Sequence, residues 1–333
     1  MPQLLIAPTR LGDAILASGV LAWMAETAPD DPITVACGAP AALAYEGAPG
    51  VQSIHVMQKK PRAGHWIDLW RAVRGRRWTR VVDLRRSLLS YVLRAEARFV
   101  VPQAQDGEHR VVLASRTVGL TPRSPTAWYR DQHGAMAARL LPDDAPTLAL
   151  GPGANWICKT WPAARFAELT ASLVGEAGPL RGACVLLVGG SAERREGRMI
   201  IEAVPRAQII DGFGLDIPTT AALLSRCALF VGNDSAMMHL AAATGIRTVG
   251  LFGPTRDDLY GPWGPNGIVV RPPESVTALL AGLRHAKEAR CLMEGLSAAA
   301  VVSAITARWP DLRPEPSPER VAAITEPIPS RRA

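Results

Sequence analysis

Short apolar runs alternate with stretches of helical period along nearly the whole chain, and this restricts the fold more than any other feature. The runs QLLIAPT, ITVACG, VQSIHVM and RVVDLR have the length and apolar content of buried strands. Around them, AILASGVLAWMAE, HWIDLWRAVRGRR, SYVLRAEA and TAWYRDQHGAMAARLL read as helices, with RLGD as a loop after the first strand. Apolar strands joined by helices belong to a parallel sheet covered on both faces. After LLPDDAP (Leu140 to Pro146), whose Pro and Asp cluster marks a linker, the pattern begins again. TLALGPG, ACVLLVGG, AQIID, LFVG, TVGLFG and GIVVRP are its strands. PAARFAELTASLVG, SAERREGRMIIEAV, TTAALLSRCA, an Ala-rich stretch from Ala236, and the segments 274–288 and 295–308 are its helices. The expected fold is α/β, with two doubly wound Rossmann-like domains, 1–145 and 146–309, facing a central cleft. The Pro-rich tail 310–333 has the composition of a loosely held end.

The chain of 333 residues is long enough for two such cores, and 48% hydrophobic with 20% charged residues is a globular composition. No run approaches the ~18 apolar residues of a membrane span. MPQLLIAPTR shows no basic segment ahead of an apolar one, so no secretory signal is expected. The five cysteines are scattered without a CxxC pair, which suits a reducing cytosol and disfavours a zinc site. The net charge of +7 favours anionic partners. Aromatic residues are only 5% and are not interleaved with a basic stripe, so nucleic acid is not the expected partner.

In doubly wound domains, ligands sit beyond the carboxyl ends of the strands, where loops enter helix N-termini. FVGNDSAMMHLAAATGIRTVGLFGPT has this layout: a strand, the loop Gly232-Asn233-Asp234-Ser235, then a helix from Ala236. The helix start offers free N–H groups and positive potential to an anion. Asp234 or Ser235 can cap it, or Asp234 can accept sugar hydroxyls. His239 follows Ser235 by four residues and shares its helix face. Against this stands a plain capped core helix with a satisfied histidine. Gly12 and Asp13 occupy the matching loop of the first domain. They lack the further glycines of a dinucleotide fingerprint. Asp13 is therefore either a general base at the cleft or a helix cap. GPGANWICKTWP carries Lys159, the one lysine between Lys60 and Lys287, as a phosphate ligand or a solvated surface group. Glu193 in VGGSAERRE can hold a ribose diol or favour a helix start. No Asp-x-Asp occurs, so a metal-clamped diphosphate has no evident ligands.

Taken in order, LGDAILASGVLAWMAE, PGANWICKTWP, VGGSAERRE, GNDSAMMHLAAATGIRTVGLFGPT and YGPWGP resemble the ADP-heptose:lipopolysaccharide heptosyltransferases, glycosyltransferase family 9. The resemblance covers about Leu4 to Ile305. It implies the GT-B fold and inverting transfer without a metal, from ADP-heptose as co-substrate and with no cofactor. The acceptor it implies is an anionic lipopolysaccharide inner core at the cytoplasmic face of the inner membrane. By the same resemblance Asp13 matches the catalytic base, Lys159 and Glu193 match donor phosphate and ribose contacts, and the segment Asp234 to His239, with Ser235, Ala236 and His239, matches the donor loop; Asn233 just before it is a further candidate donor contact. Arg10, Arg62 and Arg85 are the candidate acceptor contacts. The family usually has Gly where Ala236 stands, and Pro where Gly19 stands. A non-catalytic sugar-nucleotide binder and a sugar-nucleotide epimerase of the same architecture are the rival readings. The carboxylate at Asp13 argues against the first. The absence of a second acid/base candidate argues against the other.

Overall fold

The computed structural model describes residues 1–142, 145–203, 208–281 and 290–312. The first sheet contains β1 (Gln3–Ile6), β2 (Ile33–Cys37), β3 (Val51–Val56), β4 (Trp78–Asp83) and β5 (Ala95–Val100), in the order β3-β2-β1-β4-β5. The second contains β6 (Thr147–Gly151), β7 (Cys184–Gly189), β8 (Ile209–Phe213), β9 (Leu229–Asn233), β10 (Arg247–Leu251) and β11 (Gly267–Val270), in the order β11-β10-β9-β6-β7-β8. Every recorded strand pair is parallel. Each sheet begins in its middle, grows to one side, and then grows to the other. The order therefore reverses between β1 and β4, and again between β6 and β9. A ligand crevice opens at such reversals, because neighbouring strands send their connections to opposite faces.

The central strands of each sheet are buried on both faces, which explains their near-continuous apolar sequences. Leu4 and Ile6 of β1 join a cluster with Leu69, Val73, Trp78 and Leu89 on one face. Leu5 points to the other face, into a cluster that runs without interruption from Ala14 and Tyr45 to Ala221, Phe230 and Met238 of the second sheet's layer. The base of the cleft is therefore shared apolar core. A third cluster, around Leu148, Leu150, Trp161 and Phe166, covers the far face of the second sheet.

Several local expectations change. Leu11, Gly12 and Asp13 are not a loop; they form the first turn of the helix Leu11–Leu16, where an acidic residue suits the positive helix end. The single long helix expected next is broken after Leu16, and Ser18–Thr27 forms a second one. At the break, Ser18 Oγ donates to Ile15 C=O and accepts from Thr126 N–H, so a polar side chain interrupts the helix ladder. Gly19 matters beyond the helix itself: a Cβ there would lie 2.8 Å from the carbonyl oxygens of Arg123 and Ser124. The end of SYVLRAEA, expected to be helical, instead opens the edge strand β5 (AEARFV); its alternating exposure shows one face packed and one solvated. The helix Arg110–Thr117 was not anticipated, and the next helix starts only at Asp131. SAERREGRMIIEAV is a 3-10 turn, Ser191–Arg195, followed by the helix Arg198–Ala203. Between them, Gly197 leaves no room for a Cβ beside Phe213 (2.7 Å to its ring). Within the segment expected to be helical over 274–288, Val276–Leu280 is helical and 282–289 lie outside the described residues. Leu312 is buried against the second core, so the start of the tail is held; 313–333 lie outside the described residues, as do Asp143 and Asp144 of the linker.

Candidate active site

Three carboxyl-end loops at the two order reversals meet across the cleft. From the first domain comes the helix Leu11–Leu16, following β1; from the second come the loop after β6 and the loop after β9. Close approach begins inside β6 and β9. Gly151 pairs with Gly232 across the two strands, and both are kept free of side chains by the ring of Phe230. A Cβ at Gly232 would sit 2.6 Å from that ring, so a larger residue would push the strands and their exit loops apart.

Asn233 ends β9 fully buried. Its Oδ1 accepts from the Trp161 N–H (3.0 Å) and its Nδ2 donates to the Pro152 carbonyl (2.7 Å). It ties the β6 loop to the β9 loop and so positions both ends of GPGANWICKTW; neither amide atom is left idle for a ligand. Lys159, on the 3-10 turn Ile157–Lys159 of that loop, is buried rather than solvated. Its Nζ donates to Asp234 Oδ2 at 2.9 Å, both side chains are only 9% exposed, and the Trp156 ring lies 5.4 Å from the ammonium. Asp234 thus spends its carboxylate on Lys159 and does not cap the helix Ala236–Ala243. Ser235 occupies the N-cap position and makes no capping hydrogen bond either.

Two buried polar atoms stand at that helix start without a partner among the described residues, Ser235 Oγ and His239 Nδ1. Burial lowers the His239 pKa to about 4, against a weaker upward pull from Asp234, so the imidazole is neutral at pH 7. A buried hydroxyl and imidazole nitrogen left unpaired would each cost on the order of 1–3 kcal/mol, and a hydroxyl- or phosphate-bearing ligand in the cleft could satisfy them.

The first domain closes on this group through Gly12. A Cβ at Gly12 would lie 3.1 Å from His239 Cδ2 and 3.7 Å from Ala236 Cα, so the two helix N-termini abut at a residue without a side chain. Asp13, one position on, is half-buried and its side chain makes no hydrogen bond among the described residues; Arg10 holds the N-cap position, so Asp13 is not the cap of its helix. Burial raises its carboxyl above the ordinary value of 3.8. Arg10 and Arg110 pull it back down, Asp234 adds to the rise, and Lys159 opposes it. The carboxylate of one domain therefore feels the buried ion pair of the other. Arg10 is exposed at the N-cap position of the same helix.

Glu193 lies on the second domain's rim after β7. Its Oε2 accepts from Gly190 N–H at 2.8 Å, and its carboxyl packs on Gly153, where a Cβ would come within 2.2 Å of Cδ. The helix-start role holds in this state, and the contact links Glu193 to the loop that carries Lys159. Arg62 and Arg85 stand on the first domain's rim. Arg62 is exposed with φ of +50°, and the Arg85 guanidinium stacks 4.5 Å from the Trp66 ring.

A second group of contacts between the domains was not anticipated. His109 Nδ1 accepts from Val111 N–H, which leaves the proton on Nε2 to donate to the Gly261 carbonyl at 3.0 Å. The His109 ring lies 4.8 Å from that of Trp263. Arg110 Nε donates to Tyr260 Oη (3.1 Å) with its guanidinium 5.2 Å from the ring, and Arg256 pairs with Asp106 at 2.8 Å. YGPWGP was visible as a motif, but its partners lie some 150 residues earlier in an unremarkable stretch, DGEHR.

Two parallel-sheet domains with their order-reversal loops converging on one cleft make a GT-B architecture. The sequence profile of glycosyltransferase family 9 (heptosyltransferase) matches residues 110–281, and the chain belongs to that family. Lipopolysaccharide heptosyltransferase 2 of Salmonella typhimurium is 30% identical over 136 residues, which are 39% of this chain and 38% of that protein. The match to this curated relative thus spans well under half of its length. Among solved structures, the family 9 glycosyl transferase of Veillonella parvula DSM 2008 superposes with a TM-score of 0.73 at 20% identity, covering 92% of this chain and 97% of that one. The E. coli ADP-heptose lps heptosyltransferase II superposes with a TM-score of 0.71 at 20% identity, covering 92% and 98%. Both share the fold.

Proposed function

We propose that this protein is an inverting heptosyltransferase that moves heptose from ADP-heptose to an inner-core acceptor of lipopolysaccharide without a metal. The observation that carries this reading is Asp13: a carboxylate with no structural hydrogen bond, raised in pKa, held at the cleft opposite the Lys159–Asp234 pair. A pure binding protein has no use for such a group, because it would repel the donor's phosphates.

In this reading the donor lies on the second domain, with its diphosphate near Ser235, Ala236 and Lys159 and its ribose toward Glu193. An acceptor hydroxyl attacks the anomeric carbon from the first-domain side. As the new C–O bond forms, the bond to the diphosphate breaks, the hydroxyl proton passes to Asp13, and ADP leaves. Lys159 and the start of the helix Ala236–Ala243 stabilise the charge that grows on the diphosphate; one such donor is typically worth about 3 kcal/mol of barrier. Asp234 keeps Lys159 in place, and neutral His239 can donate or accept at the sugar. Arg10, Arg62 and Arg85 line the acceptor side. The domain limits 1–145 and 146–309 then correspond to acceptor and donor halves, at work in the cytoplasm beside the inner membrane.

The test is acceptor-dependent ADP release from ADP-heptose, with the anomeric configuration of the product read by NMR. Inversion is expected. Absence of acceptor-dependent turnover, with ADP still bound, would favour a sugar-nucleotide binder instead.

A further inference from the structure

The carboxyl-end rim of the first domain carries an apolar patch that the core does not cover. Leu88 is 84% exposed, Tyr91 63% and Val92 65%, all within nine residues after β4. Leu89 and Leu93, on the same stretch, are buried in the first-domain cluster and anchor it, so the other three are presented outward. Ile67 is 50% exposed on the neighbouring helix Gly64–Val73, whose Leu69 and Val73 enter the same cluster. Arg85 bridges the two elements by stacking on Trp66.

The patch has a cationic border with little counter-charge. Among the described residues, Arg62, Arg85 and Arg86 form no ion pair with an acidic side chain, whereas nearby Asp68 is engaged by Lys60 at 2.7 Å. Asp83 is buried and accepts from Arg85 N–H, Ser87 N–H and Ser87 Oγ–H. A third observation is independent of both. Among the described residues the non-glycine positions with left-handed φ are Arg62 (+50°), Ala63 (+58°) and Arg86 (+52°), and all three lie on this rim. Such conformations cost of order 1–3 kcal/mol each and tend to cluster where a surface has a task.

We propose that this rim is the docking surface for an anionic phospholipid bilayer. Apolar tips bordered by arginines match the chemistry of a membrane interface, where hydrocarbon enters below the headgroups and guanidinium groups stay with the phosphates. A second copy of the chain is disfavoured as the occupant, because the same positive border would face itself. The placement also suits the cleft. β1 and β4 are adjacent and parallel, with Ile6 paired to Asp83, so the exits that lead to Asp13 and to Leu88–Val92 leave the same edge side by side. A bilayer on this rim brings a lipid-borne acceptor to Asp13; that use of the surface rests on the transfer reaction proposed above, whereas the docking itself does not.

Sedimentation of the full chain with vesicles tests it. Binding to phosphatidylcholine vesicles containing phosphatidylglycerol is expected, weakened roughly tenfold or more on pure phosphatidylcholine or in high salt. Leu88→Glu with Val92→Glu is expected to weaken binding by a similar factor while the thermal midpoint stays unchanged. Arg86→Ser should reduce the preference for anionic vesicles. Turnover on a water-soluble acceptor should be unaffected by the Leu88/Val92 pair, and turnover on a vesicle-embedded acceptor should fall. Equal vesicle binding by the pair variant and the parent overturns the proposal. So does a concentration-dependent dimer that the pair variant abolishes without any vesicle binding by the parent. Vesicle binding without transferase activity would leave the docking surface standing and remove the enzymatic reading.

Discussion

The ammonium of Lys159 lies 2.9 Å from Asp234 Oδ2, and each side chain is only 9% exposed. Removing one member leaves the other charged and buried, which typically costs roughly 3–5 kcal/mol. Lys159→Ala is therefore expected to lower stability by about that much as well as weaken ADP binding. Adding Asp234→Asn should recover most of the stability, because the stranded carboxylate is gone, but not the ADP affinity. Denaturant titration and calorimetry on both variants separate the two effects. Unchanged ADP affinity in Lys159→Ala would take the lysine out of the donor site.

His239 gives the pH dependence of stability a defined limb. Its folded pKa of about 4 lies below the ordinary 6.5, so the unfolded chain takes up the proton first as pH falls. Its contribution is thus intact above pH 6.5 and is lost progressively down to about 4. His239→Gln should flatten that part of the stability profile. An identical slope in both proteins would show that the imidazole titrates normally.

The contacts of His109 and Arg110 with Tyr260, Gly261 and Trp263 tie the first domain to the second in the arrangement that sets Asp13 facing Lys159. His109→Ala is expected to lower kcat while ADP affinity changes little, since the proposed donor groups all lie on the second domain. The exposed Arg256–Asp106 pair should matter far less, because solvent screens it. A fall in ADP affinity without a fall in kcat would contradict that role.

What could be read in advance follows from periodicity and local chemistry. The strands of the second domain and the β9 loop were legible because apolar runs, a Gly-Asn-Asp-Ser turn and an Ala-rich helix are all local signals. β5 was not, because Ala95, Glu96 and Ala97 favour a helix by composition and continue the run SYVLRAEA, and only pairing with β4 makes them an edge strand. Nor was the burial of Lys159, which depends on Asp234, 75 residues away. The true task of Asn233 as a clamp on Pro152 and Trp161 is likewise tertiary. Gly12 looked like a loop glycine; the reason for it is the His239 ring of the other domain.

In the proposed mechanism, the positive charge that meets the leaving diphosphate comes from Lys159 and a helix start. Transfer is therefore expected to continue in EDTA at an undiminished rate. Loss of activity on chelation, restored by magnesium or manganese, would overturn the metal-free mechanism.

Asp13 carries the central claim. If Asp13 is the base, its raised pKa is expected to put the acid limb of the kcat profile above the ordinary carboxylate value of 3.8, with activity lost as pH falls through it. Asn in its place keeps the shape but cannot take the proton. At neutral pH the variant should be at least as stable as the parent, because a carboxylate disfavoured by burial has been removed; that difference should vanish once the parent is protonated. General bases typically contribute ~10²–10⁴-fold. The decisive measurement is turnover of Asp13→Asn at saturating donor and acceptor. The account predicts a fall in kcat of roughly 10²–10⁴-fold with ADP affinity and thermal midpoint retained. A variant that turns over at close to the parent rate would contradict it.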